Sequence, residues 1–119
     1  AMSGNETASP SAVFRLLGDD YAREILAAAE EPVTAKDLSD TTEASLTTVY
    51  RRLSALKEHG LVEERSTVDP DASHKREFVT AVDEIHAELS DGSFSLTVEK
   101  RDELADNFTS LWSDIRDSR

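Results

Sequence analysis

The sequence contains no cysteine, and this absence excludes disulfide bonds, thiolate metal sites and redox sensing by thiols. The chain also has a single methionine. A protein of this composition could sense oxidants only through chemistry that does not involve sulfur, or through a partner protein. No run approaches the roughly 18 consecutive apolar residues that a membrane-spanning helix needs. The N-terminus lacks the basic and apolar pattern of a signal peptide, so we expect a cytoplasmic protein with no membrane partner.

Basic residues are also scarce, because 13 of them face 25 acidic residues, and only four of the 13 are lysines. The formal net charge is -12. This composition is typical of a halophilic protein, since molar salt screens charges within roughly 3 Å and negative charge favours solubility. An ordinary acidic protein from a mesophile is the alternative explanation. A chain of 119 residues suits one domain with a modest core.

Apolar residues at helical spacing begin at Pro10 and predict two helices separated by Gly18. Asp19 is the expected N-cap of the second helix. Thr34 is expected to cap a short third helix, with Asp37 in the acidic position of a capping box. Residues 39–44, with the sequence SDTTEA, are predicted to form a turn.

The segment SLTTVYRRLSALKEHG, residues 45–60, predicts a longer amphipathic helix that stops at Gly60. Its apolar stripe consists of Leu46, Val49, Leu53 and Leu56. The opposite side carries Thr47, Thr48, Arg51 and Ala55, with Arg52 at its edge and Tyr50 bordering the stripe. Small hydroxyl residues allow a helix to enter the major groove of DNA, and arginine can bind guanine edges or phosphates. An ordinary amphipathic helix with two solvated arginines explains this segment equally well.

Two β-prone runs, LVEERSTV and EFVTAV, flank a turn-rich loop that ends in His74, Lys75 and Arg76, and together they predict a β-hairpin with a basic tip. Residues 44–76 carry six basic and five acidic residues, whereas the other 86 residues carry seven and twenty. Positive charge is therefore concentrated in the fourth helix and this hairpin. The alternative is chance clustering in a solvated hairpin.

The run VTAKDLSDTTEASLTTVYRRLSALKEHGLVEE, preceded by two helices, resembles the ArsR-type winged helix-turn-helix regulators and is especially similar to small haloarchaeal ones. The resemblance covers about residues 12–82 and implies an α+β fold whose fourth helix reads the major groove while the hairpin, or wing, touches the DNA backbone or minor groove. The DNA contacts that the resemblance implies are Thr47, Thr48, Tyr50, Arg51 and Arg52 in the helix and Lys75 and Arg76 in the wing. Ser45, Arg65 and His74 are expected to bind DNA as well.

The chain departs from the metal sensors of that family, which use cysteines, so a thiolate sensing site is excluded. Stress regulators of the RosR kind belong to the haloarchaeal group, but no particular residue here assigns the chain to them.

The segment IHAELSDGSFSLTVEK predicts a second hairpin with a two-residue turn at Asp91 and Gly92. The register places six apolar residues on one face, in the pairs Leu89 with Phe94, Ala87 with Leu96, and Ile85 with Val98. The polar face pairs Glu88 with Ser95 and His86 with Thr97. Turn chemistry and apolar pattern therefore agree.

The last segment, KRDELADNFTSLWSDIRDSR, predicts an amphipathic helix with a coiled-coil-like seam. The expected dimer interface consists of Leu104, Phe108, Leu111 and Ile115, with Trp112 beside them. Packing of this helix on its own domain is the alternative. Dimers of winged-helix domains read palindromic DNA with half-sites about one helical turn apart.

Enzymatic activity, a cofactor and a metal site are not expected. The chain has no phosphate-binding loop, dinucleotide-binding motif or nucleophile elbow. The three histidines, His59, His74 and His86, are not at metal-ligand spacing. Paired carboxylates such as Glu63 and Glu64 are interpreted as a solvated surface.

The sequence thus predicts a homodimeric regulator that binds double-stranded DNA in high salt; a winged helix that binds proteins of the transcription machinery is the alternative. Salt cations are expected between DNA phosphates and nearby carboxylates such as Glu43, Asp69 and Asp71. The expected segments are a flexible arm (1–9), the winged helix-turn-helix (10–82), the second hairpin (83–99) and the dimerisation helix (100–119).

Overall fold

The computed structural model describes residues 10–68 and 74–101. Its helices are α1 (Pro10–Leu17), α2 (Asp20–Ala28), α3 (Ala35–Thr42) and α4 (Leu46–Glu58). Its strands are β1 (Val62–Val68), β2 (His74–Thr80), β3 (Val82–Ser90) and β4 (Ser93–Lys100). Four helices followed by two antiparallel hairpins make the α+β architecture that the sequence predicts. The N-terminal arm, the loop between β1 and β2 and the expected C-terminal helix lie outside the described residues.

Side-chain caps begin three of the helices, as short polar residues in extended backbone allow. Asp19 accepts a hydrogen bond from the backbone N–H of Ala22 at 2.7 Å. Thr34 and Asp37 form the predicted capping box in front of α3. Ser45 accepts the N–H of Thr48 at 3.1 Å and thereby starts α4. These contacts confirm the expected caps at Asp19 and Thr34.

The turn predicted over residues 39–44 is wrong for its first four residues, which continue α3 as far as Thr42. The side chain of Thr42 is buried, and its hydroxyl donates to the carbonyl of Leu38 at 2.8 Å. This buried hydrogen bond stabilises the last turn of α3. The chain reverses at Glu43, whose φ of 64° is left-handed. Burial of one face therefore overrides the turn-forming composition.

Helix α4 is the central element of the core. Val49, Leu53 and Leu56 are buried and pack in one cluster with residues of every other helix, as the predicted stripe requires. Leu46, which we expected in the same stripe, is 46% exposed. It is the first residue of α4 and lies at the edge of the core that the described elements form.

A part-buried ion pair ties α4 to the start of α2. The Nε and Nη2 atoms of Arg52 lie 2.9 and 3.0 Å from the two carboxylate oxygens of Asp19. The hydrogen bond from Arg52 is the main reason that the pKa of Asp19 is lowered. The guanidinium also lies 6.0 Å from the ring centre of Tyr21. Asp19 therefore caps one helix and anchors another.

The first hairpin pairs β1 with β2 in one antiparallel register, from Val62 opposite Thr80 to Val68 opposite His74. Val33 adds an isolated bridge, with backbone hydrogen bonds of 2.9 and 2.7 Å to Phe78, and so attaches the wing to the helices. His74, Lys75 and Arg76 begin β2, whereas the sequence placed them in a loop at the tip. Strand β2 therefore begins three residues before the β-prone run EFVTAV, whereas β1 stays within the run LVEERSTV.

The second hairpin, β3 and β4, has every predicted pair, including Leu89 with Phe94 and Ile85 with Val98. Asp91 and Gly92 both have positive φ, 54° and 76°, as a two-residue turn of the mirror-image type requires. Val98 is buried in the core, while Phe94 meets Phe14 of α1 edge to face at 5.6 Å. Among the described residues no helix is both long enough and apolar enough to cross a membrane.

The double role of Asp19 predicts an unequal effect of two neighbouring substitutions. Asp19→Ala should lower the free energy of unfolding by about 1–2 kcal/mol, because it removes a cap and leaves Arg52 without its partner. Asp20→Ala, which removes an exposed pair with Arg23 and an acidic charge from the first turn of α2, should cost less, about 0.5 kcal/mol. Urea denaturation followed by circular dichroism measures both. Equal effects would show that the Asp19–Arg52 pair does not anchor α4.

Candidate nucleic-acid interface

The face of α4 opposite the core is exposed and carries Thr47 and Arg51, one helical turn apart. Within residues 10–68 and 74–101, the side chain of Arg51 forms no hydrogen bond or ion pair with another residue. Ser45 and Thr48 lie at the N-terminal end, where the hydroxyl of Ser45 also donates to that of Thr48 at 3.1 Å. An exposed arginine among small hydroxyl residues is the chemistry that base edges accept in a major groove.

Arg52 has a different environment from Arg51, although the sequence places them side by side. Its guanidinium is held by Asp19 and its side chain is only 31% exposed. The described geometry makes Arg52 a link between α4 and α2, and contact of this residue with DNA remains a prediction. Helical spacing predicts that Arg52 lies at the edge of the exposed face. It cannot show that Arg52 binds Asp19, which lies 33 residues earlier in the chain.

Where α4 faces the wing, the carboxylate of Glu64 connects α4, β1 and β2. Glu64 of β1 accepts a hydrogen bond from Lys57 of α4 at 2.8 Å. It also accepts from Arg76 of β2, whose Nε lies 2.6 Å from Oε2 and whose Nη2 lies 3.3 Å from Oε1. Hydrogen bonds from Arg76, and then from Lys57, lower the pKa of Glu64 to about 2. The interpretation of Glu64 as a solvated surface residue is therefore wrong, since its side chain is 18% exposed.

Arg76 is further oriented by two aromatic rings. Its guanidinium carbon lies 5.5 Å from the ring centres of both Tyr50 and Phe78, within the range of cation–π attraction. The two rings meet edge to face, with centroids 6.5 Å apart. Tyr50 is 39% exposed, so it keeps a surface for solvent or DNA while packing against the wing. The sequence placed Tyr50 at the border of the apolar stripe, and its contact with Phe78 agrees with that position.

The remaining expected contacts lie along the wing. Arg65 is half-buried and stands opposite Glu77 in the register of β1 and β2. His74 and Lys75 are exposed at the start of β2. Strand β2 contacts α3, and the charge of Lys75 there helps to lower the pKa of Asp37, for which the hydrogen bonds from Thr34 are the main cause. The basic residues of the wing that the structure describes therefore lie on both strands, with Arg65 in β1 and the others at the start of β2.

Sequence reasoning missed Lys57 and Glu64 as parts of this surface. Lys57 lies in the last turn of α4, and Glu64 faces it only because the chain turns back after Gly60. The one signal in the sequence is Gly60, which ends α4 and has a left-handed φ of 75° in the structure. It predicts that a strand follows closely, but not which of Glu63 and Glu64 faces the helix.

One group of side chains among the described residues has the composition of a metal site. The donor atoms of Glu84, His86 and Glu99 lie within 4.8 Å of one another on the exposed face of the second hairpin. The Nε2 atom of His86 lies 2.9 Å from Glu84 and 3.4 Å from Glu99, so contacts within the group account for the arrangement. The expectation of no metal site remains a prediction.

Comparison with known protein families agrees with this geometry. Residues 8–65 match the model of the helix-turn-helix domain family, a segment that spans α1 to α4 and enters β1. No curated protein sequence matches the chain. The matched segment, the antiparallel wing and the exposed face of α4 identify a winged helix-turn-helix fold, of the kind found in DNA-binding transcription regulators.

Proposed function

We propose that the protein is a sequence-specific transcription regulator that binds double-stranded DNA as a homodimer in high salt. The observation that carries this proposal is the outward face of α4, where Thr47 and Arg51 are exposed beside the wing. A helix with this face can enter the major groove and place Arg51 against a base edge. The matched helix-turn-helix segment supports DNA as the ligand.

The ArsR-type and haloarchaeal assignment is part of this proposal and is supported by the sequence resemblance and by the net charge of -12. Charge repulsion between such a protein and DNA is screened in molar salt, while hydrogen bonds and close fit act at short range. Exposed carboxylates near α4, such as Glu43, would share salt cations with phosphates. A cytoplasmic location and a role in the response to stress are proposed together with this assignment, and no particular residue carries either of them.

The homodimer is proposed from the sequence of the C-terminal segment. The seam of Leu104, Phe108, Leu111 and Ile115, with Trp112 beside it, would bury its apolar side chains against a second copy. Two copies related by a twofold axis would place two α4 helices on a palindromic site, with half-sites about one helical turn apart. Two half-sites also give enough contacts for specific binding.

Different roles are expected for Arg51 and Lys75. With DNA selected by the protein from a random pool, Arg51→Ala should weaken binding by roughly 1–3 kcal/mol and relax specificity at one base pair per half-site. Lys75→Ala, a change of the same charge on the wing, should weaken all sequences about equally. Mobility-shift titrations in molar KCl measure both. If Arg51→Ala binds the selected DNA as the parent does, α4 does not read bases through this face; absence of any selected sequence would contradict the proposed function.

The dimer is tested by charge placed in the seam. Leu111→Asp with Ile115→Asp should give a monomer by light scattering, because two carboxylates cannot be buried without partners. Affinity for the palindrome should fall with it. Thr109→Asp with Ser113→Asp adds the same charge on the polar side of the same segment and should leave the dimer intact. A seam variant that stays dimeric would place the interface elsewhere, with residues 10–30 as the next candidate.

A further inference from the structure

Two cationic side chains bind the same carboxylate, that of Glu64, between α4 and the wing. Lys57 from the last turn of α4 and Arg76 from β2 both hydrogen-bond Glu64, and both are more than half exposed, whereas Glu64 is 18% exposed. The solvent-facing parts of this cluster are therefore the cations, and the anion lies between them. Such a cluster carries one net positive charge.

The contacts of Arg76 have the geometry of anion recognition. Its Nε and Nη2 atoms reach the two different oxygens of Glu64, in the forked arrangement that arginine also makes with phosphate. The contacts with Tyr50 and Phe78 orient the guanidinium independently of the carboxylate. Arg76 would therefore remain in place if another anion took the position of Glu64.

The position of the cluster suits a phosphate of the DNA backbone. Tyr50 and Lys57 lie on the flank of α4 that faces the wing, next to the outward face with Arg51. A helix seated in the major groove has the DNA backbone along its flanks, where a wing can reach it. Glu64 at this point would repel that phosphate if it stayed.

We propose that Lys57 and Arg76 form a binding site for a DNA backbone phosphate, and that Glu64 occupies this site in the free protein and is displaced when DNA binds. The inference rests on the proposed DNA-binding function and adds a ligand site within it. Glu64 acts as an internal substitute for the phosphate, so both cations are held in a binding arrangement before DNA arrives. Displacement leaves the carboxylate to be solvated.

The exchange has a consequence for salt dependence. A phosphate contact ordinarily makes affinity fall with salt, by a slope of about -0.9 in log K against log of the salt concentration. At the Lys57–Arg76 site, one bound anion replaces another, so this contact should contribute little to the slope. Removing the charge of Glu64 should restore the ordinary effect of a phosphate contact, which makes the slope more negative by about one per half-site.

The test compares Glu64→Gln with Glu63→Gln, which makes the same charge change at the exposed neighbouring residue. Below molar KCl, Glu64→Gln should bind selected DNA about tenfold more tightly than the parent, with a slope more negative by about one per half-site. Glu63→Gln should change affinity less than about twofold and leave the slope as it is. In a Lys57→Ala background, the gain from Glu64→Gln should shrink. Thermal melts of each variant establish that it is folded.

A second readout needs no DNA. Inorganic phosphate should shift the NMR signal of the Arg76 Nε–H in Glu64→Gln, but not in the parent, where Glu64 fills the site. Two results would overturn the inference: equal affinity and slope in Glu64→Gln and Glu63→Gln, or weaker DNA binding by Glu64→Gln, which would make Glu64 a residue that positions Arg76. In both cases DNA is still bound and the proposed function stands. Phosphate binding without any DNA binding would contradict the proposed function and, with it, DNA as the source of the phosphate, and would leave only an anion site at Lys57 and Arg76.

Discussion

Helix α4 must bury one face in the core and leave the other free, and the rest of the structure depends on this constraint. Val49, Leu53 and Leu56 fix the buried face against the other helices and the wing. Because helical spacing is rigid, the same contacts direct Thr47 and Arg51 to solvent. The hydrophobic stripe thus determines which residues can reach DNA. A change that rotates α4 would move the core and the interface together.

Carboxylates fix the charged side chains beside this helix. Asp19 holds Arg52 on one flank of α4, and Glu64 holds Lys57 and Arg76 on the other. Arg51, between the two flanks, has no such partner within the described ranges. Two of the acidic residues, Asp19 and Glu64, therefore orient cations beside α4. The net charge of -12 and an ordered basic surface are compatible for this reason.

Much of the fold could be predicted from the sequence, because its signals were local. Caps at Asp19 and Thr34, the stop at Gly60 and the turn at Asp91 each depend on a few neighbouring residues. The register of the second hairpin followed from a turn and an alternating pattern that agreed with each other. These features need no knowledge of distant contacts.

The errors arose where distant residues decide the structure. Burial of Thr42 extended α3 through a segment that looked like a turn. The partners of Arg52 and Arg76 come from other elements, 33 and 12 residues away, so spacing along the chain could not show them. At the candidate interface, the sequence indicated which residues are basic, but only the fold shows which of them are already paired.

DNA binding by so acidic a protein is tested most directly by a salt titration of the unmodified chain. Affinity for DNA selected from a random pool would be measured across the lower molar range of KCl. We expect log K against log[KCl] to be flat or rising, because few uncompensated cations meet phosphates and salt screens the remaining repulsion. A steep fall, like the loss of about 10³–10⁵ in affinity between 50 and 200 mM salt for a protein with six to ten phosphate contacts, would contradict this explanation.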